Sequence, residues 1–196
     1  MKNECGYTLI ELMIVVAILS IVLAIGLPRL NVFFDGNRMV NNTNALVSAF
    51  NIARSEAIKS GDRVTLCKSG NADAGTPTCS TSGDWEQGWF VFQDTDATVG
   101  QYNSSSDGRI LRRQPGVEGK STTIRAADAA IENYVSFTSR GVPKAANGAP
   151  QSGMFRICDD RGLSNAAGAT IARAVIVSAA GKVRLSKDAT VIGSCP

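Results

Sequence analysis

The chain has 196 residues, 44% hydrophobic and 19% charged, with 20 Lys and Arg against 17 Asp and Glu; this is material for one ordinary domain and an appendage, without the bias of a disordered or repetitive chain. It contains no histidine, which removes Ser-His-Asp and Cys-His catalysis, histidine-bound zinc or haem, and an imidazole pH switch together. A net charge of +3 with 6% aromatics does not announce a nucleic-acid binder, so any such role has to come from a local patch.

Those averages hide a polarised distribution. Residues 7–27 (YTLIELMIVVAILSIVLAIGL) are 21 positions with one charge, Glu11, and at about 1.5 Å per residue a helix of that length spans roughly 30 Å, one membrane crossing. A secretory signal would place several positive charges before a shorter apolar core and a small-residue cleavage site after it, whereas here the leader is MKNECG and nothing like Ala-x-Ala follows Leu27. A plain anchor leaves Glu11 unexplained, because a carboxylate in a membrane helix costs about 2.5–3.5 kcal/mol and calls for a partner. Pro28 removes one helical hydrogen bond and is expected to kink the helix.

Residues 37–59 read as an amphipathic helix. Leu46, Phe50, Ala53 and Ala57 recur at spacings of four, three and four, Val40 and Val47 adjoin them, and Arg54, Glu56 and Lys59 fall largely off the stripe. Gly61 is the stop signal. Beyond it the period shortens, and residues 63–68, 88–93, 109–114, 122–126, 134–139, 154–158, 172–178 and 182–186 are candidate strands of an antiparallel sheet laid on the helix. The connections 69–84, 94–108 and 143–153 are longer than ordinary hairpins and are expected to be surface loops. Trp85, Trp89, Phe90 and Phe92 read as buried packing of the sheet on the helix.

Chemical candidates are few. Asp94 and Asp96, with Asp107 later in the same loop, form an oxygen set that could hold calcium, but acidic turn residues in solvent are the preferred reading, and no metal or other cofactor is expected. Asp159 and Asp160 are adjacent, so their side chains point apart, a poor geometry for paired-carboxylate catalysis; a turn with Gly162 is expected. No Ser-x-x-Lys occurs, and no enzyme activity is expected.

The leader ending in Gly6, followed by Tyr7-Thr8-Leu9-Ile10-Glu11-Leu12 and an apolar helix with Pro28 near its end, resembles the class III signal of type IV pilins and pseudopilins. The resemblance implies cleavage after Gly6 by prepilin peptidase, N-methylation of Tyr7, and an apolar helix retained in the mature protein. Glu11 would meet the N-terminal amine of a neighbouring subunit, since either charge is costly alone in a dry helix bundle and tolerable when paired. Cys5 departs from the usual leader and would be discarded with it.

A second resemblance covers nearly all the remaining chain. Ala53-Arg54-Ser55-Glu56-Ala57, Val64-Thr65-Leu66-Cys67, Trp85-Glu86-Gln87-Gly88-Trp89-Phe90-Val91-Phe92, Val135-Ser136-Phe137 before Gly141, Phe155-Arg156-Ile157-Cys158 and AVIVSAAGKVR from Ala174 to Arg184 follow in order, similar to the GspH/FimT family of minor pilins and minor pseudopilins. The cysteine-bearing segments make the chain resemble the FimT and FimU pilus members more than the secretion-system GspH members. The implied fold is α+β, the type IV pilin fold, with the C-terminal half of a long N-terminal helix packed on an antiparallel β-sheet head. Its implied parts are a leader (1–6), a transmembrane and polymerisation helix (7–28), an amphipathic continuation (29–60) and the head (61–196).

The implied function is that of a minor pilin stored in the inner membrane, N-terminus cytoplasmic and head periplasmic, that primes assembly at the pilus tip and reaches the cell surface. Its partners would be other major and minor pilins; the alternative is a GspH-like pseudopilin of a type II secretion system. With the leader removed, Cys67, Cys79, Cys158 and Cys195 remain, and in a translocated domain they read as two disulfides of three possible connectivities. Cys67 with Cys79 and Cys158 with Cys195 are favoured, the first closing a local loop and the second tying down the C-terminus. No Cys-x-x-Cys supplies a zinc spacing. Some FimT members are implicated in DNA uptake through Gly-Arg-x-Arg, which Gly181-Lys182-Val183-Arg184 matches with lysine in place of the first arginine. Lys182 and Arg184 would share a strand face, with Lys187 and Arg173 extending a patch for double-stranded DNA; the competing reading is a charged guard on a sheet edge.

Overall fold

The computed structural model describes residues 8–117, 122–165 and 168–195, with side chains described in all of these except 25–32. Gly6, Tyr7 and the Pro28 side chain lie outside the described residues. Two compact units are present, Met1–Asn37 and Arg38–Pro196. The first helix, α1 (Leu9–Ser60), contributes to both, and its backbone stays helical through Pro28.

In the second unit, α1 buries a continuous stripe of Met39, Thr43, Leu46, Phe50, Ala53 and Ala57, spaced four and three residues apart so that all point one way. Val40 and Val47 flank the stripe half-buried. Thr43 is tolerated on it because its hydroxyl donates to the Met39 carbonyl one turn back, at 2.6 Å, leaving only its methyl to pack.

Eight strands follow: β1 (Val64–Lys68), β2 (Gly88–Gln93), β3 (Ile110–Pro115), β4 (Thr123–Ala126), β5 (Tyr134–Phe137), β6 (Gly153–Cys158), β7 (Arg173–Val177) and β8 (Val183–Ser186). A short helix, α2 (Ala189–Ile192), ends the head, its N-terminus capped by Asp188, which accepts from the Thr190 amide. The strands form two antiparallel sheets of four, ordered β3-β2-β1-β5 and β4-β6-β7-β8, where one sheet was expected. The chain alternates between them, because β5 returns to pair with β1 and β6 pairs back to β4. Such pairings are non-local and leave no mark on strand periodicity.

The inner faces of both sheets and the stripe of α1 make one core. Phe50 links them, its ring centroid 6.5 Å from that of Phe137 in β5 and 5.3 Å from that of Phe155 in β6. Trp85 stands edge-on to Phe155 at 5.0 Å and satisfies its indole N–H on the Glu132 carbonyl. Trp89 and Val91 face this core. Phe90 and Phe92 do not: strand alternation turns them to the other face of their sheet, a correction to their expected place against the helix. There they meet Tyr102 at 5.6 and 5.1 Å, with Cys67, Cys79, Ile110 and Tyr134 around them. The 69–84 and 94–108 connections supply that cover, so β1 is buried on both faces.

Cys67 is bonded to Cys79 and Cys158 to Cys195. The first pair ties the 69–84 connection to β1. The second holds the chain after α2 over a small cluster of Ala172, Ala174 and Ile192 on the outer face of the other sheet. On the chain-entropy account, loops closed by separations of 12 and 37 residues are worth about 3 and about 4 kcal/mol.

Asp94 follows β2 and is 3% exposed. Its Oδ2 accepts from the Thr65 hydroxyl and from the Gly100 amide. Burial pushes its carboxyl above the ordinary range and the Asp107 charge adds to the rise, against the hydrogen bonds from Thr65 and Gly100 and the charge of Arg63.

Two outcomes are expected. Phe50→Ala removes the ring shared by helix and both sheets and should lower head stability by about 3–5 kcal/mol in urea denaturation. For Asp94, a folded pKa above the unfolded 3.8 means that its contribution is full below that value and is lost as pH rises through the folded one. In chelator-treated buffer the stability of the natural chain relative to Asp94→Asn should therefore fall as pH rises from about 4, measured as the difference in Tm.

Candidate functional site

In the first unit every described side chain from Thr8 to Ala24 is exposed, with Leu9 at 78% and Leu23 at 47%. A helix that is apolar all round does not rest in water, because each such side chain is worth about 1.5–3 kcal/mol on burial. Among the described residues no helix is long and apolar enough to cross a membrane; the expected span 7–27 begins at an undescribed residue and ends among undescribed side chains.

Glu11 is the acidic residue of the first turn of α1. Its amide donates to the Thr8 hydroxyl at 3.3 Å, and the Thr8 amide donates to Glu11 Oε2 at 3.5 Å. This reciprocal pair is a capping box, which satisfies two otherwise orphan amides and sets a negative charge at the positive end of the helix. The Thr-x-x-Glu spacing was readable in the sequence, but Thr8 was not singled out there. Glu11 therefore has an interaction within its own chain, and its exposed carboxylate remains open to a cation from another.

The cationic candidates divide between two sheet faces. Arg184 pairs with Ile176 in β7, and Ile176 pairs with Met154 in β6. That row belongs to the outer face, and Lys182, two residues before Arg184, falls on the same side. Both are exposed. Arg173 pairs with Ile157, a buried core residue, and so belongs to the opposite face. Lys187 follows the end of β8, about 16 Å along the strand direction from Lys182 at 3.3 Å per residue. Lys182 and Arg184 fall on one side and Arg173 on the other, while Lys187 is exposed three residues beyond Arg184, past the end of β8.

Two other arginines lie on the outer face and were not singled out from sequence: Arg156 pairs directly opposite Arg125. Arg125 is bonded to Glu86 and lies 2.9 Å from Asp84, which neutralises it locally. Only the sheet register identifies this face.

Gly181 has its own structural reason. It adopts φ +75°, and a Cβ there would fall 2.1 Å from the Gly141 carbonyl oxygen and 3.3 Å from Arg54 Nε. The turn closes through Gly181 N–H to Ser178 O at 2.8 Å and Lys182 N–H to Ser178 Oγ at 3.0 Å. The glycine of Gly-Lys-x-Arg is thus required by close packing of two turns, whatever the cations do.

Among the remaining candidates, Asp159 does not work with Asp160. Its carboxylate accepts from the Arg161 amide and guanidinium, and the Gly162 amide donates to the Asp159 carbonyl at 2.8 Å, closing a turn. Asp94, Asp96 and Asp107 do converge, with one carboxylate oxygen of each within 4.8 Å of the others.

Comparison with known proteins places these features. Residues 1–27 match the prokaryotic N-terminal methylation motif, and residues 42–181 match the family described as Type II transport protein GspH. No curated protein matches the sequence. Among solved structures, the type IV minor pilin FimU of Pseudomonas aeruginosa PAO1 in space group P21 is similar at 21% identity, over 79% of this chain and 92% of that one, with a TM-score of 0.52. The same pilin in space group P65 is similar at 21% identity over 73% and 88%, with a TM-score of 0.46. At such identity the first likeness is one of fold, and it agrees with the long helix and antiparallel sheets described above. With the family match spanning most of the head and the methylation motif spanning the apolar N-terminus, this chain belongs to the GspH family of type IV pilin-like proteins.

Proposed function

We propose that this chain is a minor type IV pilin that is stored in the inner membrane and primes filament assembly at the pilus tip. The observation that carries the reading is the all-round exposed apolar helix with one acid, Glu11, in its first turn. The same surface serves storage in lipid and packing against neighbouring pilins. Prepilin peptidase cleaves after Gly6 and the new N-terminus, Tyr7, is methylated, with the N-terminus cytoplasmic and the head periplasmic. The parts are then leader 1–6, polymerisation helix 7–28 with Pro28 at its end, amphipathic continuation 29–60 and head 61–196. Glu11 pairs with the terminal amine of a neighbour, and the subunit acts by binding rather than by catalysis.

A second reading, a minor pseudopilin of a type II secretion system, is favoured by the description of the matching family. A deletion strain separates the two: lost piliation with normal secretion supports the pilus reading, and the reverse overturns it.

The capping box allows the two roles of Glu11 to be tested apart. Glu11→Ala should insert normally but fall by about a hundredfold in equilibrium incorporation, the effect of leaving one charge of a buried pair alone. Thr8→Ala loses only the cap, about 1 kcal/mol, and should incorporate almost normally. Quantifying both variants in sheared pili against the membrane pool checks this, and equal incorporation would overturn the intersubunit pairing.

The head further carries a duplex DNA contact at Lys182 and Arg184, the two cations sharing the outer face. Replacing both with alanine should weaken binding to short duplexes at low salt and reduce the slope of log K against log salt by about 1.8, the effect of two lost phosphate contacts. Arg173→Gln, on the other face, should leave that slope unchanged. Fluorescence anisotropy across a salt series reads both, and an unaltered slope in the double variant would sink the contact.

A further inference from the structure

Two aromatic side chains of the first unit lie beyond the apolar run. Phe33 and Phe34 are 63% and 54% exposed, and their rings meet each other edge-on with centroids 6.0 Å apart. The polarity of the helix changes immediately after them, at Asp35, Gly36 and Asn37. Adjacent residues on an α-helix are turned about 100° from one another, so the two rings do not share the single face that one neighbouring helix would cover. Together they present a broad arc of aromatic surface, which suits a medium surrounding the helix.

The other marker on this helix is Glu11, which shares the reciprocal cap with Thr8 at the N-terminus. The backbone is helical from Leu9 through Phe34, and at about 1.5 Å per residue Phe33 stands about 33 Å along the axis from Glu11. A bilayer has a hydrocarbon layer about 30 Å thick, and polar interfaces on both sides bring the whole to about 40–45 Å. A helix centred between the two markers therefore places the carboxylate at one interface and both rings at the other. Centring on the apolar run 7–27 instead sets Glu11 inside the hydrocarbon, where a carboxylate is costly, and leaves Phe33 about 9 Å beyond it, outside the layer that aromatic side chains favour. With the markers at the interfaces, Arg29 and Asn31 fall about 6 and about 3 Å below Phe33, near enough to the headgroups for polar residues to be tolerated.

We infer that in the stored subunit residues 12–32 span the hydrocarbon, with Glu11 at the cytoplasmic interface and Phe33 and Phe34 seated among the phospholipid headgroups of the other side as the anchor that fixes the depth of the helix. This rests on storage in the membrane, which the pilus and secretion readings share. The anchor has a consequence for Glu11. The acid stays in reach of water during storage and loses it only when the helix leaves lipid to meet the amine of a neighbour, so its charge is never buried without a partner.

The full chain, carrying Cys5→Ser so that the two disulfides hold the only other cysteines, is reconstituted in vesicles of phosphatidylethanolamine and phosphatidylglycerol. A single cysteine at Ala17, Val22 or Phe34 carries an environment-sensitive fluorophore, and its quenching is compared between phospholipids brominated near the headgroup and near the chain ends. Residue 22 is the middle of 12–32 and residue 17 the middle of 7–27. Chain-end bromine should therefore quench Val22→Cys most, and headgroup-side bromine Phe34→Cys most. Phe33→Ser with Phe34→Ser should move the deepest position from 22 towards 17. Deepest quenching at Ala17→Cys in the natural background, or none at Phe34→Cys, overturns the inference and leaves membrane storage standing; no quenching at any of the three positions overturns both. An unchanged depth profile in the double serine variant also overturns it, and lower recovery of that variant in sheared pili would then assign the two rings to a neighbouring subunit.

Discussion

Phe50 is the point on which the head depends. It sits in the middle of the buried stripe of α1, and its ring meets Phe137 from one sheet and Phe155 from the other. Each sheet has an apolar inner face that has to be kept from water, and the two have no hydrogen-bonded strand in common. Burial against one helix therefore makes them a single body. The stripe is built for this: alanines at 49, 53 and 57 let the sheets approach the helix where Phe50 does not fill the space.

The outer faces solve a different problem. A half-buried antiparallel strand normally shows water one face, yet β1 and most of β2 are buried on both. The reason is the Phe90, Phe92 and Tyr102 cluster, which the Cys67–Cys79 bond and the 94–108 connection hold shut. The second sheet uses the C-terminus in the same way, with α2 and the Cys158–Cys195 bond over Ala172 and Ala174. Long connections and a chain terminus thereby act as parts of the core, and buried polar groups such as Asp94 come with them.

The exposed cations follow from what these covers leave open. The covering residues occupy one part of the outer face of the second sheet, while Lys182 stands just before the edge strand β8 and Arg184 within it, next to an exposed Leu185. Charges there guard an unpaired sheet edge regardless of any ligand. The adjoining glycine is held by its contact with Gly141. A sequence motif that joins such a glycine to two cations thus merges a packing requirement with a charge pattern, and only the cations bear on binding.

Much of this was legible locally. The apolar run around Glu11, the helical stripe through Phe50 and the eight strand segments are periodic signals, because burial on one face imposes a spacing of about 3.6 or 2 residues wherever it occurs. Met39 and Thr43 escaped that reading, the latter because a hydroxyl that back-bonds within its helix looks polar in a sequence and packs as a methyl. Strand pairing could not be read this way. Two sheets in place of one, Phe90 and Phe92 turned from the helix, and Arg173 parted from Arg184 all depend on which segments pair and in what register. By itself the sequence determined the elements, the polarised N-terminus and the residue types available for chemistry, since these follow from local periodicity and composition. The tertiary structure decided which of those residues share a face, a cavity or a cluster, since register and sheet membership are set by contacts between segments far apart in the chain.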